Sequence, residues 1–437
     1  IQKLRVFLPD CTLDWHSNPQ IWRRERAKLR GNRGAQELFW RLQEIVADAG
    51  WFALQKKPFL PLQTPRDLWR NLPLAHPKIV PMIAALPFSV GELLQVLRLE
   101  NDRQFVALVN LALLITLQSP LRRAPLSNGL AGLDLWRHGA FHPVGGAGKI
   151  AWKLLEGFEK WGGETRFSTR VVGVSRERGG WKIETTNGEF WAETVVWNGV
   201  FDPLCASHIS PSERGRPHWH FPHRLEISRK SRGWSPPLGG GDVRSTEGVK
   251  NPTQWGALNV YAAIPREIVP SEIEFHAHVL GAYTRRKPFF EAGDGDDVFL
   301  SISAPDETQS APAGFATLNI STHVRQGDWL GLSRLEYREK KRIWRQKLLD
   351  CAAIALPELR EKKLFALCGT PSTWENYTLR SGVGGPPLSR RNANLRAQSV
   401  RTQFPNFYRV GDGVFPGQGT VACVLSGWNA WREISNL

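Results

Sequence analysis

The sequence predicts an α/β protein. Three stretches carry that prediction. Near the end, Val410-Gly411-Asp412-Gly413-Val414-Phe415-Pro416-Gly417-Gln418-Gly419-Thr420 reads as a short apolar strand, a Pro-Gly-x-Gly turn and the start of a helix. Residues 141–200 read as helix, strand, hairpin and strand. Between 255 and 330 apolar residues recur at every second position, as in Leu258, Val260 and Ala262, which is the period of a strand.

Composition bounds the rest. A chain of 437 residues has room for two or three domains, and 41% hydrophobic with 22% charged residues is an ordinary globular balance. The formal net charge is +16. The Lys and Arg residues are spread along the chain, with no helix-turn-helix, zinc-finger or RNA-binding signature, so nucleic acid is not an expected partner. Attraction to anionic headgroups is a more economical use of that charge, and a plain basic surface stays open beside it. The five cysteines, Cys11, Cys205, Cys351, Cys368 and Cys423, form no Cys-x-x-Cys pair. They suggest neither a disulfide framework nor a zinc site, and they suit a reducing, cytoplasmic setting. The longest apolar stretch, 105–117, is interrupted by Asn110 and Thr116 and falls short of the ~20 residues that span a bilayer.

Taken in order, Leu4-Arg5-Val6-Phe7-Leu8 predicts a strand that stops at Pro9-Asp10. The stripe Leu38, Phe39, Leu42, Ile45, Val46 and Ala49 predicts a helix over 36–49 that ends at Gly50. Thr64-Pro65-Arg66-Asp67 starts a run of helices, continuing near 79–86, 90–99 and 102–117. After Gly145-Gly146-Ala147-Gly148 a helix carries Ile150, Ala151, Leu154, Leu155, Phe158 and Trp161 on one side and stops at Gly162-Gly163. A strand over 164–174 follows, then a hairpin turning at Asn187-Gly188 and a strand ending near Trp197-Asn198-Gly199. His218, His220 and His223 lie close together without an acidic or Cys partner at ligand spacing, so no metal is expected. Further strands are expected at 298–303 and 316–323, and His323 reads as a satisfied core histidine. Ser333 with Glu336 forms a capping box for a long basic helix that runs to Ala355.

The glycine-rich stretch resembles the C-terminal flavin motif of the phytoene desaturase and carotenoid isomerase group, within the FAD-dependent amine-oxidase superfamily. Gly411, Asp412, Phe415, Pro416, Gly417, Gln418, Gly419, Ser426 and Gly427 carry the resemblance, and Gly413 departs from it where the group commonly has a small polar residue. The 141–200 block is similar to the group's Pro-x-Gly-Gly-x-Gly helix and its two following strands, with Ser168 and Gly199 as mild departures. Gly369-Thr370-Pro371 and Tyr377-Thr378 also resemble the group, with Asn376 in place of its common Arg.

The resemblance implies a Rossmann-like FAD-binding flavoprotein fold. On that basis 1–140 forms a substrate and helical-cap region, 141–204 and 401–437 form two parts of the FAD-binding domain, and 205–400 forms the substrate-binding α+β domain. Val171 would meet the adenine end through its backbone. Gly411, Asp412, Gly417 and Gly419 would line the cofactor, with Asp412 on its hydroxyls. Thr420, Val421 and Ala422 would aim helix N–H groups at the flavin. Gly145, Gly146 and Tyr377 would lie near the substrate. The implied activity is desaturation or cis–trans isomerisation of a hydrophobic isoprenoid or carotenoid, by hydride transfer at flavin N5, at a peripheral membrane surface. A retinoid-type saturase or an amine-type oxidase of the same superfamily stays open, and no catalytic side chain is assigned.

One part of the group's pattern is missing. No Gly-x-Gly-x-x-Gly turn with an acidic residue ~20 positions on occurs in the sequence. The expectation is therefore a fragment lacking the first βαβ unit, together with most pyrophosphate contacts. A non-catalytic remnant that binds lipid or a partner is the alternative.

Overall fold

The computed structural model describes residues 2–8, 10–177, 179–199, 255–273, 276–280, 297–307, 309–378, 382 and 384–435. His218, His220 and His223 lie outside the described residues.

The first strand, β1 (Lys3–Leu8), pairs antiparallel with β2 (Cys11–His16), from Lys3 opposite His16 to Leu8 opposite Cys11. β1 ends at Leu8 as expected, and a second strand that the sequence reading did not expect begins at Cys11. The signal for β2 is the alternation of Leu13 and Trp15, both buried, with Thr12, Asp14 and His16. Helix α1 (Pro19–Arg26) is capped by the Asn18 side chain. Helix α2 (Arg33–Gln55) carries the predicted stripe but does not end at Gly50. A Cβ there would sit 3.5 Å from that of Ala131, so Gly50 marks where α2 crosses a later helix closely. Then come α3 (Pro65–Arg70), started by the Thr64 and Asp67 capping box, α4 (Val80–Ala85), α5 (Val90–Val96), α6 (Arg103–Leu117) and α7 (Leu126–Gly132). Nearly every side of α6 is buried. Its Phe105 joins Phe39, Trp40, Trp15 and Trp22 in one aromatic cluster, with Trp15 and Trp22 stacked at 4.8 Å.

Helix α8 (Gly148–Lys160) follows the Gly145-Gly146 turn. None of its residues is buried, and Ile150, Trp152, Leu154 and Phe158 stay exposed. The apolar side read from the sequence therefore meets no described element. The expected strand over 164–174 begins only at Val171, because Ser168 takes a left-handed backbone (φ 54°) that breaks the extended run. Strands β3 (Val171–Glu177), β4 (Gly180–Thr185) and β5 (Gly188–Ala192) form a three-stranded antiparallel sheet whose second turn is the predicted Asn187-Gly188 hairpin.

After β6 (Val195–Trp197), the larger sheet is completed by β7 (Trp255–Pro265), β8 (His276–Leu280), β9 (Asp297–Ile302) and β10 (Phe315–Arg325). Helix α9 (Arg334–Ala352) is capped by Ser333 and Glu336 as expected, but ends three residues before Ala355. Then follow α10 (Leu359–Lys362), β11 (Phe365–Gly369), α11 (Pro371–Thr378), β12 (Phe407–Arg409) and α12 (Thr420–Ile434). The seven-stranded sheet runs β11-β7-β10-β9-β8-β1-β2. One face buries Val260, Leu300 and Ile320 against Leu348, Leu349 and Ala352 of α9. The opposite face, at the β1 end, buries Leu4 and Val6 with residues of α6. Strand β12 pairs parallel with β6, from Phe407 opposite Val195 to Arg409 opposite Trp197.

Candidate functional site

The β6–β12 pair places the glycine-rich loop. Val410 continues the ladder by donating its N–H to Trp197 O at 3.0 Å. At Gly411 the backbone turns left-handed (φ 99°), and a Cβ there would collide with Asn198 Oδ1. Gly411 N–H donates to Ser426 Oγ at 2.8 Å, and that hydroxyl donates to Cys423 O at 2.7 Å. Ser426, fully buried, thus ties the turn to the helix that follows it. Gly417 packs against Leu388 and Gly419 stands at the N-cap of α12.

No side chain caps α12. Its first-turn N–H groups, from Thr420 to Ala422, have no intrahelical acceptor by construction, so they offer donors and the positive end of the helix dipole. Thr420 and Val421 are exposed beside them. Asp412 is half-buried on the same loop. Seven of the predicted cofactor residues, Gly411, Asp412, Gly417, Gly419, Thr420, Val421 and Ala422, therefore share one turn and one helix end. The donor set suits a negatively charged or carbonyl-rich group, such as the phosphates or ring edge of a flavin nucleotide.

Val171 is not brought to that loop by any described contact. It stands at one end of the three-stranded sheet, opposite Thr185. The sheet docks through the other end, where Trp181 packs on Phe407 of β12 at 4.9 Å between ring centres. Four residues of β4 separate the two points, about 13 Å of strand. Tyr377 lies exposed on α11, whose Trp374 donates to Ala257 O of β7.

Gly145 and Gly146 both have positive φ, 82° and 86°. The Gly145 N–H donates to Glu307 Oε2 at 2.7 Å, and Gln309 N–H donates to Oε1 of the same carboxylate at 2.7 Å. These two amides, with Ser310 and the charge of His142, hold the Glu307 carboxyl below its ordinary range. The glycine turn is thus tied to the loop that follows β9. Sequence reasoning passes over Glu307, because a lone acidic residue in a loop carries no pattern.

An apolar cleft of about 300 Å³ lies between the sheet and α6. Val6, Trp15 and Phe299 form one wall, and Leu111, Ile115 and Trp136 the other. No charged side chain lines it. Thr116, the lining hydroxyl, already donates to Ala112 O at 2.8 Å. The cleft and the glycine-rich loop are joined directly, because Gln418 Nε2 donates to the backbone carbonyl of Thr116 at 3.1 Å. The sequence gives Gln418 as part of a turn, and its partner 302 positions earlier in the chain is a product of the tertiary fold.

Among the described residues no group of His, Cys, Asp and Glu could hold a metal ion, and no helix is long and apolar enough to cross a membrane. His323 is mostly buried, with Nδ1 3.9 Å from Asp297 Oδ2.

No family model matches the chain. It is 25% identical over 348 residues to a prolycopene isomerase of Daucus carota, covering 78% of this chain and 51% of that protein. A prolycopene isomerase of Arabidopsis thaliana is 26% identical over 339 residues, covering 75% of this chain and 51% of that protein. The chain thus spans about half the length of the curated relatives it matches. Among solved structures, cyclohexylamine oxidase from Brevibacterium oxydans superposes with a TM-score of 0.51 at 13% identity, over 100% of this chain and 80% of that one. That likeness concerns the fold. The chain is thus similar in sequence to prolycopene isomerases and in fold to an amine oxidase.

Proposed function

We propose that the protein is an FAD-dependent enzyme that acts on a hydrophobic polyene, with cis–trans isomerisation as the leading reaction. The observation that carries the reading is the Gln418–Thr116 link, which joins an uncapped, glycine-lined helix end to a cleft without charge. FAD, when bound, supplies the redox-active ring. The chain's own residues would position it: Gly411 and its Ser426 anchor set the turn, and the amides of Thr420 to Ala422 face the acceptors. The cleft would exclude water and align an apolar chain, which requires only shape and apolar contact. A cleft without a charged side chain suits a hydrocarbon. The prolycopene isomerase relatives support the same choice.

The test is to incubate the purified chain with FAD and a reductant, then with prolycopene in detergent micelles, and to separate pigments by chromatography. The reading requires bound flavin by visible absorption and conversion to more trans isomers, both reduced in Gln418→Ala. Flavin uptake with unchanged pigment would sink the isomerase assignment. A second reading, an apolar-ligand-binding protein without turnover, is favoured by the uncharged lining of the cleft. Pigment bound in the cleft with no flavin taken up would establish it instead.

A further inference from the structure

The sheet face that meets the cleft turns polar beyond the cleft wall. On the α9 face, Val260, Leu300 and Ile320 are apolar and buried. On the other face, Phe299 of β9 lines the cleft. The register sets Ser321 of β10 opposite Phe299, and Asn259 of β7 opposite Ser321. Residues opposed across antiparallel strands share a face, so these three form one row. A second row, two residues along, consists of Ser301, Asn319 and Tyr261. Neighbouring strands lie about 4.8 Å apart, so Asn259 stands about 10 Å from the cleft wall at Phe299.

An antiparallel sheet is often polar on one face because water covers it. Water does not account for this face, since Asn259 is only 7% exposed. Its Nδ2 donates to Asn319 Oδ1 at 3.2 Å, while its own Oδ1 is buried and accepts no hydrogen bond among the described residues. A buried acceptor without a partner is costly, and a ligand that supplies a donor removes the cost. Tyr261, 40% exposed, brings a hydroxyl to the same side. The two rows hold no charged side chain. Asp297 and His323, two positions further along, face each other at 3.9 Å. Neutral donors and acceptors in one place fit a hydroxyl group, which both donates and accepts. A carboxylate or phosphate would find no cation in these rows, and a pure hydrocarbon would leave the Asn259 oxygen unpaired.

We propose that Asn259, Asn319 and Tyr261 form a subsite for a hydroxyl group, so that the polyene taken by the cleft is an oxygenated one. Its apolar chain lies between Phe299 and α6, and its hydroxyl lies on the sheet. The proposal rests on the reading of the cleft as a polyene site and narrows the substrate to a hydroxylated isoprenoid. The pattern is visible in the strands themselves, where Asn259 and Tyr261 alternate with Leu258 and Val260, and Asn319 and Ser321 with Leu318 and Ile320. Which of the two faces meets the cleft is a product of the tertiary fold.

The experiment titrates the full chain, without flavin, with zeaxanthin and with β-carotene, which has the same skeleton and lacks the hydroxyls. Both are presented in detergent micelles, and binding is read from quenching of tryptophan fluorescence. Zeaxanthin is expected to bind roughly tenfold tighter. Asn259→Leu with Asn319→Leu removes both amide partners together and should erase that preference, with β-carotene bound as by the parent. Tyr261→Phe, which keeps the ring and serves if the double variant does not fold, should reduce the preference about threefold. Comparing the ratio of the two affinities between parent and variant cancels the unequal partition of the two pigments into micelles. Equal affinity of the parent for both pigments, or a preference unchanged in the variants, overturns the subsite and leaves the polyene reading standing. Binding of neither pigment overturns both. A hydroxyl preference without isomerisation in the presence of reduced flavin supports the subsite and bears against the proposed reaction alone.

Discussion

At Gly411 one missing side chain decides a whole turn. The left-handed backbone and the collision with Asn198 both exclude a Cβ, while the amide is held by a fully buried hydroxyl. Ser426→Ala removes that acceptor and leaves a buried N–H unpaired. The expected cost is about 1–3 kcal/mol by urea denaturation, with flavin uptake falling in parallel. A variant as stable as the parent would show that the turn does not depend on this bond. Gly411→Ala should be worse than Ser426→Ala, since strain adds to the clash. Equal midpoints for the two would contradict the geometry.

Helix α12 presents the donors, and it is fixed from its other end. Arg401 bridges Asp67 at 2.6 Å and Glu433 at 2.6 Å, while Arg70 pairs with Glu433 from the α3 side. Arg70 and Arg401 also lie over the Phe59 ring, 4.7 and 4.8 Å from its centre. Burial pushes the Asp67 carboxyl up, but the Arg401 bonds and the amides of Gln63 and Thr64 outweigh it and hold it down to about 2. A depressed carboxylate contributes stability above its unfolded pKa and loses it as pH falls through the folded value. Asp67 therefore predicts a loss of up to about 2 kcal/mol between about pH 4 and pH 2. Glu433, also depressed, acts in the same direction. Asp67→Asn should flatten that acid limb in urea titrations, and a limb unchanged from the parent would remove Asp67 from its cause. Asp67→Ala removes a fully buried acceptor while Arg401 keeps Glu433, and should cost about 1.5–3 kcal/mol.

Across the whole molecule, two regions have well-filled cores while α8 has none. The sheet, α9 and the α1–α7 region bury their apolar faces. The α8 side chains Ile150, Leu154 and Phe158 do not. Replacing all three by Ser should shift the unfolding free energy by only about 0.5 kcal/mol per site while lowering the fluorescence of a bound hydrophobic dye. A large loss of stability would mean that this face is buried in solution, by a second copy or another segment. The cleft, in contrast, lies within one of the well-filled regions, since Leu4, Val6, Trp15 and Leu111 of its lining all belong to the core shared by β1, β2 and the α1–α7 helices.

The sequence by itself determined the local units: the α6 and α9 helices, the Asn187-Gly188 hairpin, and the strand–turn–helix around Gly411. Each is encoded by neighbours in the chain, through period, capping and the backbone freedom of glycine. It also carried the resemblance to a known group, because a motif is a local pattern. It did not reveal β2, whose short alternation follows a Pro-Asp pair, nor that α2 runs through Gly50, where a neighbouring helix outweighs the cost of glycine. Only the tertiary structure decided that Gln418 reaches Thr116 and that Glu307 holds Gly145. Those contacts join residues far apart in sequence. Their energy comes from burial and hydrogen-bond geometry, which no spacing along the chain records.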